Sequence, residues 1–190
     1  MKKILVVLFI GLMFVGYGQI TDQRDGKTYK TVKIGNQVWM AENLAFKPSS
    51  GNYWAYDDDN SNVAKYGYLY DWETANNVCP VGWHLPSDNE WDVLTEHLGG
   101  AEVAGTKMKS TSGWSDNGNG TNESGFNGFP GGYRHYNGYF DNIGNYGYWW
   151  SSSVTNAYSA WFRKLYFSNG NVYRSNYNKA DGFSVRCLRD

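Results

Sequence analysis

The chain has 190 residues, with 17 Lys and Arg against 18 Asp and Glu, a net charge of −1. Nothing in that balance favours a polyanion such as nucleic acid as the partner, and the length suits one domain rather than two. Aromatic residues make up 18% of the chain beside 23 glycines, so the expected core is built on Trp and Tyr side chains carried by short strands and ordered loops.

Lys2 and Lys3 precede an apolar run over residues 4–15, and small residues follow at Gly16 and Gly18. This is the layout of a secretory signal peptide, too short at about 12 apolar residues to cross a bilayer comfortably. Residues 1–18 are expected to be removed, leaving Gln19 as the new terminus of a domain over residues 19–190. That domain has no membrane span and is exported to the periplasm, the cell surface or the medium. Loss of Lys2 and Lys3 makes the mature charge more negative, which again disfavours nucleic acid.

Residues 27–34 alternate polar and apolar side chains, and Gly35-Asn36 suits a type II′ turn before Gln37-Val38-Trp39-Met40, so an opening hairpin is predicted. Further on, Asp57, Asp59 and Ser61 alternate oxygen ligands in the manner of calcium loops. Asn62 and Tyr68 stand where an EF-hand needs Gly and Glu, so calcium is a candidate ligand beside the plainer reading of a solvated acidic turn. Residues 70–76 have the composition of a short helix. Ser87 and Glu90 form a capping box, Trp91, Leu94 and Leu98 share a stripe, and Gly99-Gly100 supplies a stop, which predicts a helix over residues 87–98.

Cys79 and Cys187 are the only cysteines. In an exported chain they are expected to pair, the alternative being two buried thiols. Closing so long a loop is worth ~4–5 kcal/mol in the chain-entropy account.

Residues 113–147 are rich in Gly, Asn, Ser and Tyr, with aromatic anchors at Trp114, Phe126, Phe129 and Tyr133. They read as an ordered loop region with small strands rather than as disorder. Strands are predicted over residues 148–152 and 158–167. If Asn169-Gly170 is a two-residue type I′ turn, Phe167 faces Val172, Tyr166 faces Tyr173 and Phe162 faces Tyr177. Alternation then puts Trp161, Leu165, Phe167 and Val172 on a core face. Phe162, Lys164, Tyr166, Tyr173, Ser175 and Tyr177 share the other face, a candidate recognition surface or a stabilising aromatic ladder.

Catalytic patterns are sparse. His84, His97 and His135 are the only imidazoles, and no metalloprotease, nucleophile-elbow, phosphate-loop or dinucleotide motif occurs. No catalytic residue or cofactor is assigned, and the chain is expected not to be an enzyme.

Several motifs occur in a characteristic order: residues 35–44, Tyr66-Gly-Tyr-Leu-Tyr-Asp-Trp72, Cys79-Pro-Val-Gly-Trp-His-Leu-Pro86 with Glu90-Trp91, Gly131-Gly-Tyr-Arg134, Tyr148-Trp-Trp-Ser-Ser152 and Gly182-Phe-Ser-Val-Arg-Cys187. Together they resemble the Fibrobacter succinogenes major paralogous domain, which is distantly similar to formylglycine-generating enzymes. The resemblance implies an α+β, C-type-lectin-like fold, with short helices around small antiparallel sheets and long ordered loops. Many members carry an extra cysteine pair where this chain has Ala55 and Val63, which implies that Cys79 and Cys187 are mutual partners. Formylglycine-generating enzymes use another cysteine pair upstream of the final strand, absent here, and the Glu-Pro-Asn and Trp-Asn-Asp motifs of calcium-dependent lectins are absent too. The implied function is a non-catalytic binding module for a glycan or another surface protein. A structural or assembly component of the envelope is the alternative, and a hydrolytic enzyme ranks last.

Overall fold

The computed structural model describes residues 17–190, and the body of the expected signal peptide lies outside them. Tyr17–Thr21 (β1) pairs antiparallel with Thr28–Ile34 (β2), which returns as Gln37–Met40 (β3). Gly35 has a φ of 61°, the left-handed conformation that a type II′ turn requires at its first position, so the predicted hairpin forms with Ile34 opposite Gln37. Cleavage after Gly18 falls inside β1. It would remove the pairs of Tyr17 and Gly18 with Val32 and Thr31 and keep Gln19, Ile20 and Thr21 on β2.

Tyr53–Trp54 (β4) and Leu69–Tyr70 (β5) bracket the single-turn helix Val63–Tyr66 (α1). Trp72–Ala75 (α2) starts at Asp71, whose carboxylate accepts the Thr74 N–H at 2.9 Å. After Trp83–His84 (β6) comes Asp88–His97 (α3), with the expected capping box: the Ser87 hydroxyl accepts the Glu90 N–H and Glu90 accepts the Ser87 N–H at 2.7 Å. Trp91 and Leu94 are fully buried, and Gly99 and Gly100, at φ of 105° and 93°, end the helix. Ala104–Met108 (α4) adds a helical turn without a sequence signal. The glycine-rich stretch is ordered and contributes Gly131–Arg134 (β7) and Phe140–Ile143 (β8). Tyr146–Val154 (β9), Ser159–Tyr166 (β10), Val172–Asn178 (β11), Phe183–Ser184 (β12) and Leu188–Arg189 (β13) complete the chain.

The result is an α+β fold with two sheets. One has the order β1-β2-β3-β13-β6 and the other β11-β10-β9-β12-β5-β4, with β7 beside β9 and β8 beside β7. The closing segment is divided: β12 belongs to the second sheet and β13 to the first. Between them the Val185 and Cys187 carbonyls accept the Leu44 and Met40 N–H groups. Cys79 and Cys187 are joined in a disulfide across Cα atoms 5.9 Å apart, which ties the entry of β6 to this crossing.

Core lies on both faces of the second sheet. Side chains alternate along β9, so Tyr148 and Trp150 pack with Phe162 and Phe183 on one face, while Trp149 packs with Leu165, Val172, Trp91 and Phe126 on the other. The buried indoles keep their N–H groups paired: Trp149 donates to Asn43 Oδ1 at 2.9 Å and Trp150 to the Tyr70 carbonyl at 2.8 Å. Such pairing lets large side chains be buried without an orphaned donor.

The β10–β11 register corrects the sequence-based one. Leu165 faces Val172, Lys164 faces Tyr173 and Phe162 faces Ser175, so the connection covers residues 167–171 and is not a two-residue turn at Asn169-Gly170. The cause is tertiary. The Lys109 ammonium donates to the carbonyls of Gly118 at 2.6 Å, Asn169 at 3.0 Å, Phe167 at 3.1 Å and Tyr166 at 3.3 Å, which holds a wide tip open around a buried cation. Gly105 on α4 admits that tip, because a Cβ there would lie 2.6 Å from the Gly170 carbonyl oxygen. The shift is two residues, so every side chain stays on its predicted face.

Candidate functional site

The face shared by Phe162, Lys164, Tyr166, Tyr173, Ser175 and Tyr177 is aromatic, and the structure divides it. Phe162 is 3% exposed and packs on Phe183 and Tyr148, so it is core and offers a ligand nothing. The reason is that β10 is an interior strand whose middle is covered on both sides. Ser175 and Tyr177 lie on the edge strand and are exposed; the Tyr177 ring meets Phe162 edge-on at 6.1 Å.

Toward the hairpin tip the surface is organised. Tyr166 stacks on Tyr146 of the neighbouring strand, with ring centroids 4.4 Å apart and planes 11° from parallel. Lys164 places its ammonium 4.9 Å from the Tyr146 ring and 5.1 Å from the Tyr173 ring, and burial lowers its pKa. Asn169 donates to the Tyr173 hydroxyl at 2.9 Å and so orients that ring. The flat pair and the sandwiched ammonium are held by the sheet and need little reorganisation to receive a partner.

The strip runs beyond the predicted residues. Tyr148 and Tyr133, 5.1 Å apart and themselves buried, connect it from beneath to the β7–β8 turn, where His135 stacks on Tyr139 at 4.6 Å and lies 4.2 Å from Tyr136. Tyr136 and Tyr139 are 57% and 50% exposed. Sequence reasoning missed Tyr146, which the β9–β10 pairing sets opposite Tyr166, and this turn, because the parallel pairing of β7 with β9 that brings it alongside has no local signature.

The remaining polar candidates serve the fold. Both oxygens of Asp59 accept from Ser61, the backbone N–H at 2.9 Å and the hydroxyl at 2.8 Å, which makes Asp59 the cap of the following turn. Asp57 is exposed beside it. Among the described residues no group of three or more His, Cys, Asp or Glu is placed to hold a metal, so the calcium candidate of Asp57, Asp59 and Ser61 gains no further ligand. His84 lies between Asp190 at 2.6 Å and Glu90 at 3.0 Å, locking the chain terminus to the capping box of α3.

The matched family is described as the Fibrobacter succinogenes major domain, and it covers residues 32–189. The chain belongs to this family. No curated protein and no solved structure matches the chain. In this Fibrobacter succinogenes major domain the match begins within β2 and ends in β13, so it includes the whole second sheet and the aromatic strip.

The same domain carries a fully buried guanidinium that sequence reasoning left without a role. Arg186 Nε and Nη2 donate to Asn43 Oδ1 at 3.1 and 2.7 Å, Nη1 to the Met40 carbonyl at 3.1 Å and also to the Phe126 carbonyl, and the group lies 4.3 Å above the Phe126 ring. Burial pulls its pKa down to about 9, so it stays charged at neutral pH. Arg186 occupies the crossing between β12 and β13 and fastens it to the loop after β3.

Two groups of the Fibrobacter succinogenes major domain set a pH dependence on stability. Asp181 is buried, with Oδ1 accepting the Tyr136 N–H at 2.8 Å and Oδ2 unpartnered, and burial pushes its carboxyl up to about 6. For His84 burial opposes the charge, but Asp190 and Glu90 outweigh it and the pKa is raised. Both folded-state values lie above the unfolded ones, so Asp181 adds stability as pH falls from about 6 towards 4 and His84 adds it as pH falls through its raised pKa towards 6.5. Asp22 and Asp88 shift the other way: burial would raise them, yet Arg24 holds the first low and Arg174 and Arg163 the second. Their contribution is present above about pH 4 and lost as pH falls below it. Thermal melts should therefore show a maximum near pH 4–5, and Asp181→Asn should flatten the limb between pH 6 and 4. A midpoint that climbs steadily from pH 5 to 8 would contradict the assignment.

Proposed function

We propose that this domain is an exported, non-catalytic binding module of C-type-lectin-like architecture that recognises glycan chains through the aromatic strip. The observation that carries the reading is the Tyr146–Tyr166 stack beside Tyr173 and Lys164, a rigid surface with hydroxyl and ammonium groups at its margin. A sugar ring presents an apolar C–H face bordered by hydroxyls, and a tyrosine plane flanked by hydrogen-bonding groups matches both. Tyrosine also gives large contact area at low conformational cost. Export is supported by the leader-like residues 1–18 and is compatible with the disulfide.

Calorimetric titration of the purified protein with cell-wall and capsular oligosaccharides tests the reading. Binding is expected, with a loss of about tenfold or more in Tyr146→Ala/Tyr166→Ala, since stacked aromatic pairs are each worth about 0.5–1.5 kcal/mol beyond the area they bury. The double variant should still fold cooperatively, because cross-strand pairs add only ~0.2–1 kcal/mol to sheet stability. Absence of oligosaccharide binding, with capture of an envelope protein instead, would replace the glycan by a protein ligand. Unchanged affinity in the double variant would remove the strip from the reading.

A further inference from the structure

We infer that the glycan recognised by this face carries anionic groups, and that Lys164 is the residue that selects them. The inference rests on the glycan-binding reading and adds the ligand's charge to it. The two faces of one hairpin differ in how their cations are matched. On the helix-covered face each cation has its carboxylate: Arg163 meets Asp88 and Asp92, each at 2.6 Å, and Arg174 meets Asp88 at 2.8 Å. Lys109, the buried ammonium beneath the tip, is matched by four carbonyls.

Lys164 has neither kind of partner. Among the described residues no carboxylate lies within 4.0 Å of its ammonium, no hydrogen-bond acceptor is in reach, and burial alone shifts its pKa. Its contacts are the Tyr146 and Tyr173 ring faces, which attract a cation but leave its N–H groups open to solvent or to a partner. A partly desolvated, unneutralised ammonium weakens the fold unless something uses it, and it is suited to a carboxylate, sulfate or phosphate brought by a partner.

The test uses oligogalacturonate, a sulfated oligosaccharide and a phosphate-bearing oligosaccharide beside a neutral glucan of equal length, titrated at low and at physiological salt. At least one acidic ligand should bind about tenfold to hundredfold more tightly than the neutral one, as charge-assisted hydrogen bonds allow, and salt should narrow the gap. Lys164→Gln should abolish the preference and Lys164→Arg should retain most of it. The three acidic arms identify the anion. Equal binding of acidic and neutral ligands, or a preference that survives Lys164→Gln, overturns the inference while glycan binding lost in Tyr146→Ala/Tyr166→Ala leaves the broader reading standing. Binding of none of the four overturns both.

Discussion

Replacing Cys79 and Cys187 together by alanine is expected to lower the unfolding free energy by about 4 kcal/mol, within the range typical of a native disulfide in a small exported domain. The bridge closes a loop with a sequence separation of 108, long enough that its main effect is to restrict the unfolded chain. Its position adds to this. Cys187 is fully buried where the chain leaves the second sheet for the first, and β12 and β13 are only two residues each, so their own ladders hold that crossing weakly. Alanine is preferred to serine because a hydroxyl buried at Cys187 would add its own desolvation cost. Urea unfolding of the double variant against the oxidised protein measures the difference. A loss below about 1 kcal/mol would mean that the crossing is held by other contacts and that the unfolded chain is already compact.

Arg186→Met is expected to cost about 2–4 kcal/mol, because it takes the donors from buried neutral acceptors at roughly 1–3 kcal/mol each. Two opposing terms decide the sign. Removing the guanidinium relieves the cost of a fully buried charge that has no carboxylate partner. It also leaves the Met40 and Phe126 carbonyls without those donors and deprives Asn43 Oδ1 of two of its three, the third being the Trp149 indole. Each orphaned buried acceptor costs roughly 1–3 kcal/mol, so their sum outweighs the relief. Arg186→Lys should fall between the wild type and Arg186→Met, since an ammonium cannot reach the same fork of acceptors. Equilibrium unfolding gives the order, and near-ultraviolet dichroism should report the loosening of Phe126 and Trp149. If Arg186→Met matched the wild type, Asn43 and the loop after β3 would have to be repaired by water.

The disulfide and Arg186 sit in one short motif, Gly182-Phe-Ser-Val-Arg-Cys187, yet they were unequally readable. Two cysteines behind a signal-like leader can be paired from count and compartment alone. An arginine among apolar neighbours says nothing of its surroundings until Asn43 and Phe126 are brought to it from distant parts of the chain. The aromatic face behaves similarly. Alternation placed Lys164, Tyr166 and Tyr173 together correctly, and it also placed Phe162 there, because a period of two separates the faces of a sheet without saying which is covered.

The sequence by itself determined the family, the type II′ turn at Gly35, the capped helix that starts at Ser87, and the side-chain parity of the last hairpin. Each depends on residues a few positions apart, where the backbone and its caps obey local rules. Only the tertiary structure decided the register of that hairpin, the division of the closing segment between two sheets, and the extension of the aromatic strip through Tyr146, Tyr133 and Tyr139. Those outcomes follow from contacts between distant segments: four carbonyls gathered on the Lys109 ammonium, five guanidinium N–H groups seeking acceptors, and a parallel strand laid beside β9. In each case burial of a polar group forced a partner to be found, and no local pattern names that partner.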